Sequence, residues 1–196
     1  MFAVFTITGA MESKADILNL LKEYARKNAG EQKEVTEIIS FVARHNDKDL
    51  IDRKNFDGHI TASAFIINSN RDSLLFLRHK FLQKWLQPGG HVDFSDASLI
   101  AAAQREAMEE TGLSPEDLQV LSEDIFDIDS HSIPDNIKKQ ELAHVHHDLR
   151  FLFQTSKDFV SFTEEESTGS KWVPLSELAT DREFSRVAGK IQLEEM

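Results

Sequence analysis

The patterned part of the chain begins with two stretches of helical period. Ile17, Leu20, Leu21 and Tyr24 fall on one face of residues 12–28. Val35, Ile38, Ile39 and Val42 repeat that spacing over residues 31–45. Ser13 followed by Asp16 supplies an N-cap pair, and Gly30 marks a stop. Together they predict a helical hairpin packed on whatever follows. At Gly58 the period changes. Residues 59–68 (HITASAFIIN) and 73–79 (SLLFLRH) read as strands joined by the turn Ser69-Asn70-Arg71-Asp72. A helix is predicted over 97–111, strands over 118–129 and 143–155, a shorter strand at Lys171-Trp172-Val173, and helices over 174–179 and 181–193. Strands and helices mixed without regular β-α-β alternation predict an α+β fold. The chain divides into a helical extension, residues 1–57, and a main domain, residues 58–196.

Composition narrows the function classes. The 196 residues are 40% hydrophobic and 29% charged, enough for one substantial core. The formal net charge of −12 argues against nucleic-acid and anionic-membrane partners. An anionic substrate would therefore need something cationic between it and the protein. No Cys is present, which removes disulfides, thiolate zinc sites and a Cys nucleophile together and fits a cytoplasmic location. The opening MFAVFTITGA is apolar but lacks a basic n-region and is too short to span a bilayer, so no secretory signal is expected. With Met11 opening the helical pattern, it reads as a candidate upstream extension.

The candidate chemistry lies in residues 88–112, PGGHVDFSDASLIAAAQREAMEETG. Ser95 or Asp96 is placed to cap the predicted helix, and Gly112 suits the left-handed position after its last turn. Leu99, Ala102, Ala103 and Ala107 offer a narrow packing surface. Glu106, Glu109 and Glu110 share an adjoining face at i, i+3, i+4, where like charges repel, and near a helix C-terminus, where the dipole disfavours anions. A divalent cation turns that repulsion into coordination. Hard oxygen donors converging on one point suit Mg²⁺ or Mn²⁺. Pro88-Gly89-Gly90 predicts a tight loop in which carbonyls are exposed and a ligand can approach closely.

The order of these residues closely resembles the Nudix box: a Gly, five residues, Glu, seven residues, then Arg-Glu-U-x-Glu-Glu-x-Gly-U, with U aliphatic. Residues Arg105 to Leu113 match the second half, with Ala107 as a small U. The first half departs. Counting on from Gly90 reaches Asp96 rather than Glu, and one extra residue precedes Arg105. Trp85 ahead of Pro-Gly-Gly and the run Trp172-Val173-Pro174-Leu175 extend the likeness over most of residues 58–180. The resemblance implies a Nudix fold, a mixed β-sheet sandwiched between helices. It also implies Mg²⁺-dependent hydrolysis of a diphosphate bond in a nucleoside diphosphate linked to another moiety. Carried over by position, it makes Glu106, Glu109 and Glu110 metal ligands, one of them a candidate base, with the Gly89 carbonyl as a further ligand. Arg105 would orient a glutamate, with Asp96 contributing. Glu166, six residues before Trp172, matches the acidic position that binds metal or acts as base in some members.

Outside the box, alternation over residues 143–155 sends His144, His146, Asp148 and Arg150 to one strand face and Val145, Leu149, Phe151 and Phe153 to the other. Three readings stand for the polar face: a transition-metal site, an internally hydrogen-bonded surface, or a cleft wall where Arg150 or His146 meets phosphate or ribose. His91 is a further candidate substrate contact, beside loop exposure. His59, Arg78 and His79 read as structural. Asp127, Asp129 and His131 lead into a loop that stands over the cleft in one reading. Markers of individual substrate groups are missing. There is no proline after the box as in ADP-ribose hydrolases, the only Tyr is Tyr24, and the NADH-group Ser-Gln-Pro-Trp-Pro pattern is absent. Nucleotide sugars and nucleoside triphosphates stay open as substrates. The competing class is a non-catalytic Nudix-like module that senses ligand or binds protein. An isopentenyl diphosphate isomerase is disfavoured by the lack of Cys. The N-terminal helices have two candidate roles, capping the cleft or forming a homodimer.

Overall fold

The computed structural model describes residues 11–137 and 140–194. The apolar segment 1–10, read above as an upstream extension, lies outside the described residues. Three helices come first: α1 (Lys14–Lys27), α2 (Gln32–Arg44) and α3 (Asp47–Ile51). Ser13 and Asp16 close a capping box on α1. The short α3 was not expected from periodicity, because a five-residue helix spans too little of a period; Asn46 caps it through the Asp49 amide.

The sheet combines eight strands, β1 (His59–Ile67), β2 (Ser73–His79), β3 (Trp85–Leu86), β4 (Gly89–His91), β5 (Gln119–Val120), β6 (Asp127–Ile133), β7 (His144–Gln154) and β8 (Ser167–Pro174). Strand β1 runs parallel to β7 over nine paired residues, from His59 opposite His146 to Ile67 opposite Gln154. The remaining pairings are antiparallel: β1 with β2 and β4, β2 with β3 and β8, and β7 with β5 and β6. Every residue of β1 is buried. Its odd and even positions enter different cores, as period two requires. Ile60, Ala62, Ala64 and Ile66, with Leu149, Phe151 and Phe153 of β7, pack under α1, α2 and helix α4 (Leu99–Thr111). Phe65, Ile67 and Leu152 pack on the opposite side with Leu175 and Leu178 of α5 (Leu175–Leu178) and Val187, Ala188 and Ile191 of α6 (Ser185–Glu194). The expected mixed sheet between helices is what forms.

Several element boundaries differ from the sequence reading. The expected strand 118–129 splits into β5 and β6 around a turn at Ser122–Asp124, where Lys27 of α1 pairs with Asp124 at 2.6 Å. The short strand at 171–173 is the end of the longer β8, whose polar start Ser167-Thr168-Gly169-Ser170 carries no apolar alternation. The last helix starts at Ser185, not 181, because the Asp181 carboxylate accepts the Glu183 and Phe184 amides in a preceding turn.

Polar contacts join the first helices to the last. The Tyr24 hydroxyl donates to Glu31, and Lys190 of α6 reaches Glu31 at 2.8 Å and Asp127 at 2.7 Å. Arg186 pairs with Asp127 at 3.0 Å. Asp127 is fully buried, so these cations offset a charge that would otherwise be costly to desolvate. Among the described residues no helix is long and apolar enough to cross a membrane.

Candidate functional site

Helix α4 carries the acidic cluster. Ser98, not Ser95 or Asp96, caps it, with Oγ accepting the Ala101 amide at 3.2 Å. Asp96 is otherwise engaged: one carboxylate oxygen accepts Arg105 Nε at 2.9 Å, and the other accepts Nη2 at 3.0 Å. The side chain of Asp96 is 6% exposed, so this two-pronged ion pair is largely shielded from water. The extra residue ahead of Arg105 therefore leaves an intact Asp–Arg fork. Arg105 also donates to Glu106 at 2.9 Å, to Glu109 at 3.3 Å and to the His91 carbonyl at 2.9 Å. One guanidinium thus ties the start of the box, strand β4 and two glutamates together.

The sequence predicts a tight loop with exposed carbonyls at Pro88-Gly89-Gly90. Gly89–His91 instead forms β4, with Ser63, Ala62 and Thr61 of β1 opposite Gly89, Gly90 and His91. A three-residue strand containing two glycines has no propensity signal; register against β1 creates it. Gly89 is required by close approach to Ser63, and Gly90 leaves room for the end of the Glu106 side chain. A Cβ on Gly89 would stand 2.2 Å from Ser63 Oγ, and one on Gly90 would stand 2.6 Å from Glu106 Oε2.

Two of the carboxylates, Glu106 and Glu110, reach this strand. Glu110 accepts the Gly89 amide at 3.3 Å. Burial pushes its carboxyl up to about 8; the Gly89 amide opposes this, and Glu166, Glu106 and Glu109 add repulsion. Glu106 is also raised, first by burial, with Arg105 opposing and Glu109 and Glu166 contributing. Glu109 is the water-facing member, with a side chain 61% exposed. Helix α4 ends at Gly112, φ +70°, as expected. The segment after β7 closes that end: Thr163 donates its amide to the Glu110 carbonyl at 2.9 Å, and Ser161 its hydroxyl to the Thr111 carbonyl at 2.7 Å. This cap brings Glu166, far away in sequence, within electrostatic reach of the box glutamates. Its backbone is fixed by the Lys80 amide, which donates to the Glu166 carbonyl at 2.7 Å. Two raised, mutually repelling carboxyls beside two glycines form an oxygen-rich donor set that fits a divalent cation.

The polar face of β7 divides into two parts. Asp148 accepts from the Ser63 hydroxyl at 2.8 Å, the Thr61 hydroxyl at 3.0 Å and Arg150 Nε at 2.8 Å. Arg150, read above as a candidate phosphate contact, is 4% exposed, and its other nitrogens meet Asp127 at 3.2 Å and Asp129 at 3.3 Å. Burial works against its charge, but the three aspartates overcome that and keep it firmly cationic. His146 and His91 lie instead in a group of imidazoles with His59, with ring centroids 4.6–5.1 Å apart. Burial and the neighbouring rings push His146 down to about 2 and His91 down to about 4, so both are neutral at pH 7. His131 is drawn to Asp129 at 2.8 Å. Sequence reasoning missed His59, Thr61 and Ser63 as members of this face. The only available signal was their alternation in β1, which carries no information about which strand lies beside it.

Comparison with known proteins agrees with this architecture. The NUDIX domain family model matches residues 57–191. A protein of Lactococcus lactis subsp. cremoris (strain MG1363), named "Probable DHNTP pyrophosphohydrolase", is 30% identical over 149 residues, covering 76% of this chain and 84% of the relative. Among solved structures, a binary complex of a C. elegans Ap4A hydrolase superposes with TM-score 0.51 at 19% identity, over 68% of this chain and 92% of the other. A NUDIX-family hydrolase from Clostridium perfringens gives TM-score 0.50 at 24% identity, over 69% and 97%. At these identities the structural likeness speaks for the fold. With a family model spanning most of the chain and an extended relative beside it, the chain belongs to the NUDIX domain family and is a Nudix hydrolase.

Proposed function

We propose that the chain is a Mg²⁺-dependent pyrophosphohydrolase acting on a nucleotide-like triphosphate, with DHNTP and nucleoside triphosphates ahead of nucleotide sugars. The observation that carries the metal dependence is the approach of Glu110 to the Gly89 amide and of Glu106 to Gly90, with Glu110 raised to about 8. The relative's name supports the choice of DHNTP. Glu106, Glu109 and Glu110 would hold the ion, with the Gly89 carbonyl as a further ligand; Mn²⁺ also suits these oxygen donors. When bound, the ion supplies charge neutralisation and polarises the phosphoryl oxygens. Arg105, itself held by Asp96, positions Glu106 and Glu109. Glu166 is exposed and within electrostatic reach of the box glutamates, and would accept a proton from the attacking water.

The test is phosphate and pyrophosphate release from a panel of DHNTP, nucleoside triphosphates and nucleotide sugars, with Mg²⁺ or EDTA. Turnover of a triphosphate that needs Mg²⁺ is the expected result. Absence of turnover for every compound, with Mg²⁺ binding intact, would instead favour a ligand-sensing module.

A further inference from the structure

Three strands bring imidazoles to one place by register alone. His59 opens β1, His146 lies beside it in the parallel pairing with β7, and His91 ends β4 opposite Thr61, two residues from His59 on the same face. One ligand-type atom from each of His59, His91 and His146 lies within 4.8 Å of the other two. We propose that these three histidines bind one borderline transition-metal ion, with Zn²⁺ the first choice, at a site separate from the acidic helix.

The His59 ring supplies an independent observation. The residue is fully buried, and its Nδ1 lies 3.4 Å from the Asn55 carbonyl oxygen, which can only accept. That contact assigns the proton to Nδ1 and leaves Nε2 as a bare lone pair. Nε2 is buried and has no hydrogen-bond partner among the described residues. A neutral imidazole with one nitrogen held by a carbonyl and the other free is the arrangement in which metal-bound histidines are kept. A fourth ring orders the group. His144 Nδ1 is 2.6 Å from the Leu142 carbonyl, so its remaining lone pair, on Nε2, faces His146 Nε2 at 3.2 Å.

Ligand chemistry separates the two sites. Imidazole nitrogens suit Zn²⁺, Co²⁺, Ni²⁺ or Cu²⁺, whereas Mg²⁺ prefers carboxylates, carbonyls and water. Tetrahedral Zn–N bonds of about 2.1 Å place ligand nitrogens about 3.4 Å apart, so the three rings need a modest contraction to close on the ion. His91 also links the sites. It follows Gly90 directly, and its carbonyl accepts Arg105 Nη2 at 2.9 Å. An ion held by His91 would therefore brace the strand that carries the glycines of the acidic site.

The experiment is calorimetric titration of Zn²⁺ into the full chain in excess Mg²⁺, with Co²⁺ absorption spectra reporting nitrogen coordination. We expect one equivalent of Zn²⁺ to bind and raise Tm. Affinity should fall at least about 100-fold in His59→Phe and in His91→Phe, and it should survive in Glu106→Gln. His91→Phe alters a half-buried strand end and keeps the test valid if His59→Phe misfolds. The site is refuted by the absence of Zn²⁺ binding in excess Mg²⁺, by wild-type affinity in His91→Phe, or by loss of all binding in Glu106→Gln. The hydrolase reading fails separately, through the substrate panel.

Discussion

Glu110 should destabilise the metal-free protein, and replacing it with Gln should make the fold stronger while removing function. Its carboxyl is raised from 4.5 to about 8, chiefly by burial. The unfolded chain ionises above 4.5 and the folded chain does not until about 8, so the unfolded state falls in free energy relative to the folded one across that window. The sign is that of a raised acid: stability is full below 4.5 and is lost as pH climbs to about 8. At 1.36 kcal/mol per unit, the linkage term at pH 7 is about 3 kcal/mol, and near pH 5.5 it is about 1.4 kcal/mol. Gln keeps an acceptor for the Gly89 amide and resembles the protonated acid, but gives the unfolded chain nothing to ionise. Urea denaturation in EDTA between pH 5 and 8 should therefore show Glu110→Gln more stable than wild type, by a margin that widens with pH. Added Mg²⁺ should narrow it by stabilising wild type alone. A variant that is less stable at pH 7 in EDTA, or a margin independent of pH, would refute the reasoning.

Other perturbations separate the roles of neighbouring residues. Glu109→Gln should lower kcat by about 100-fold or more with little change in Tm, because its side chain is largely exposed; steady-state kinetics and thermal melts check both halves. Asp96→Asn removes the carboxylate charge that holds Arg105 and should cost about 1.5–3 kcal/mol of stability as well as turnover, while Asp96→Glu, which keeps the charge, should lose less of both. Gly90→Ala puts a methyl 2.6 Å from Glu106 Oε2 and should weaken Mg²⁺ binding in calorimetry before it affects the fold. Asp127→Ala removes the buried carboxylate shared by Arg150, Arg186 and Lys190, leaving each with fewer acidic partners, and should cost about 3–5 kcal/mol in urea denaturation.

Much of this molecule is legible one dimension at a time. The 3.6-residue period located α1, α2 and α4, and alternation assigned the two faces of β7 correctly: Leu149, Phe151 and Phe153 are core, and Asp148 and Arg150 are polar. The glutamate cluster stood out because it conflicts with helix electrostatics, and such conflicts mark functional positions. Boundaries without a period were missed. Strands β3 and β4 have two and three residues, and their order comes from pairing with β2 and β1.

The sequence by itself determined the residue types of the acidic site, their spacing on one helix and the family to which they point. Tertiary structure decided what those residues meet. The close approach of Glu106 to Gly90 follows from β4 docking on β1, and the approach of Glu166 follows from a loop that caps α4. His59, His91 and His146 are far apart in the chain and meet only because three strands share a register. Local pattern is written in near neighbours, where period and propensity act. A site assembled across strands depends on pairing and burial, which are settled only when the whole sheet closes.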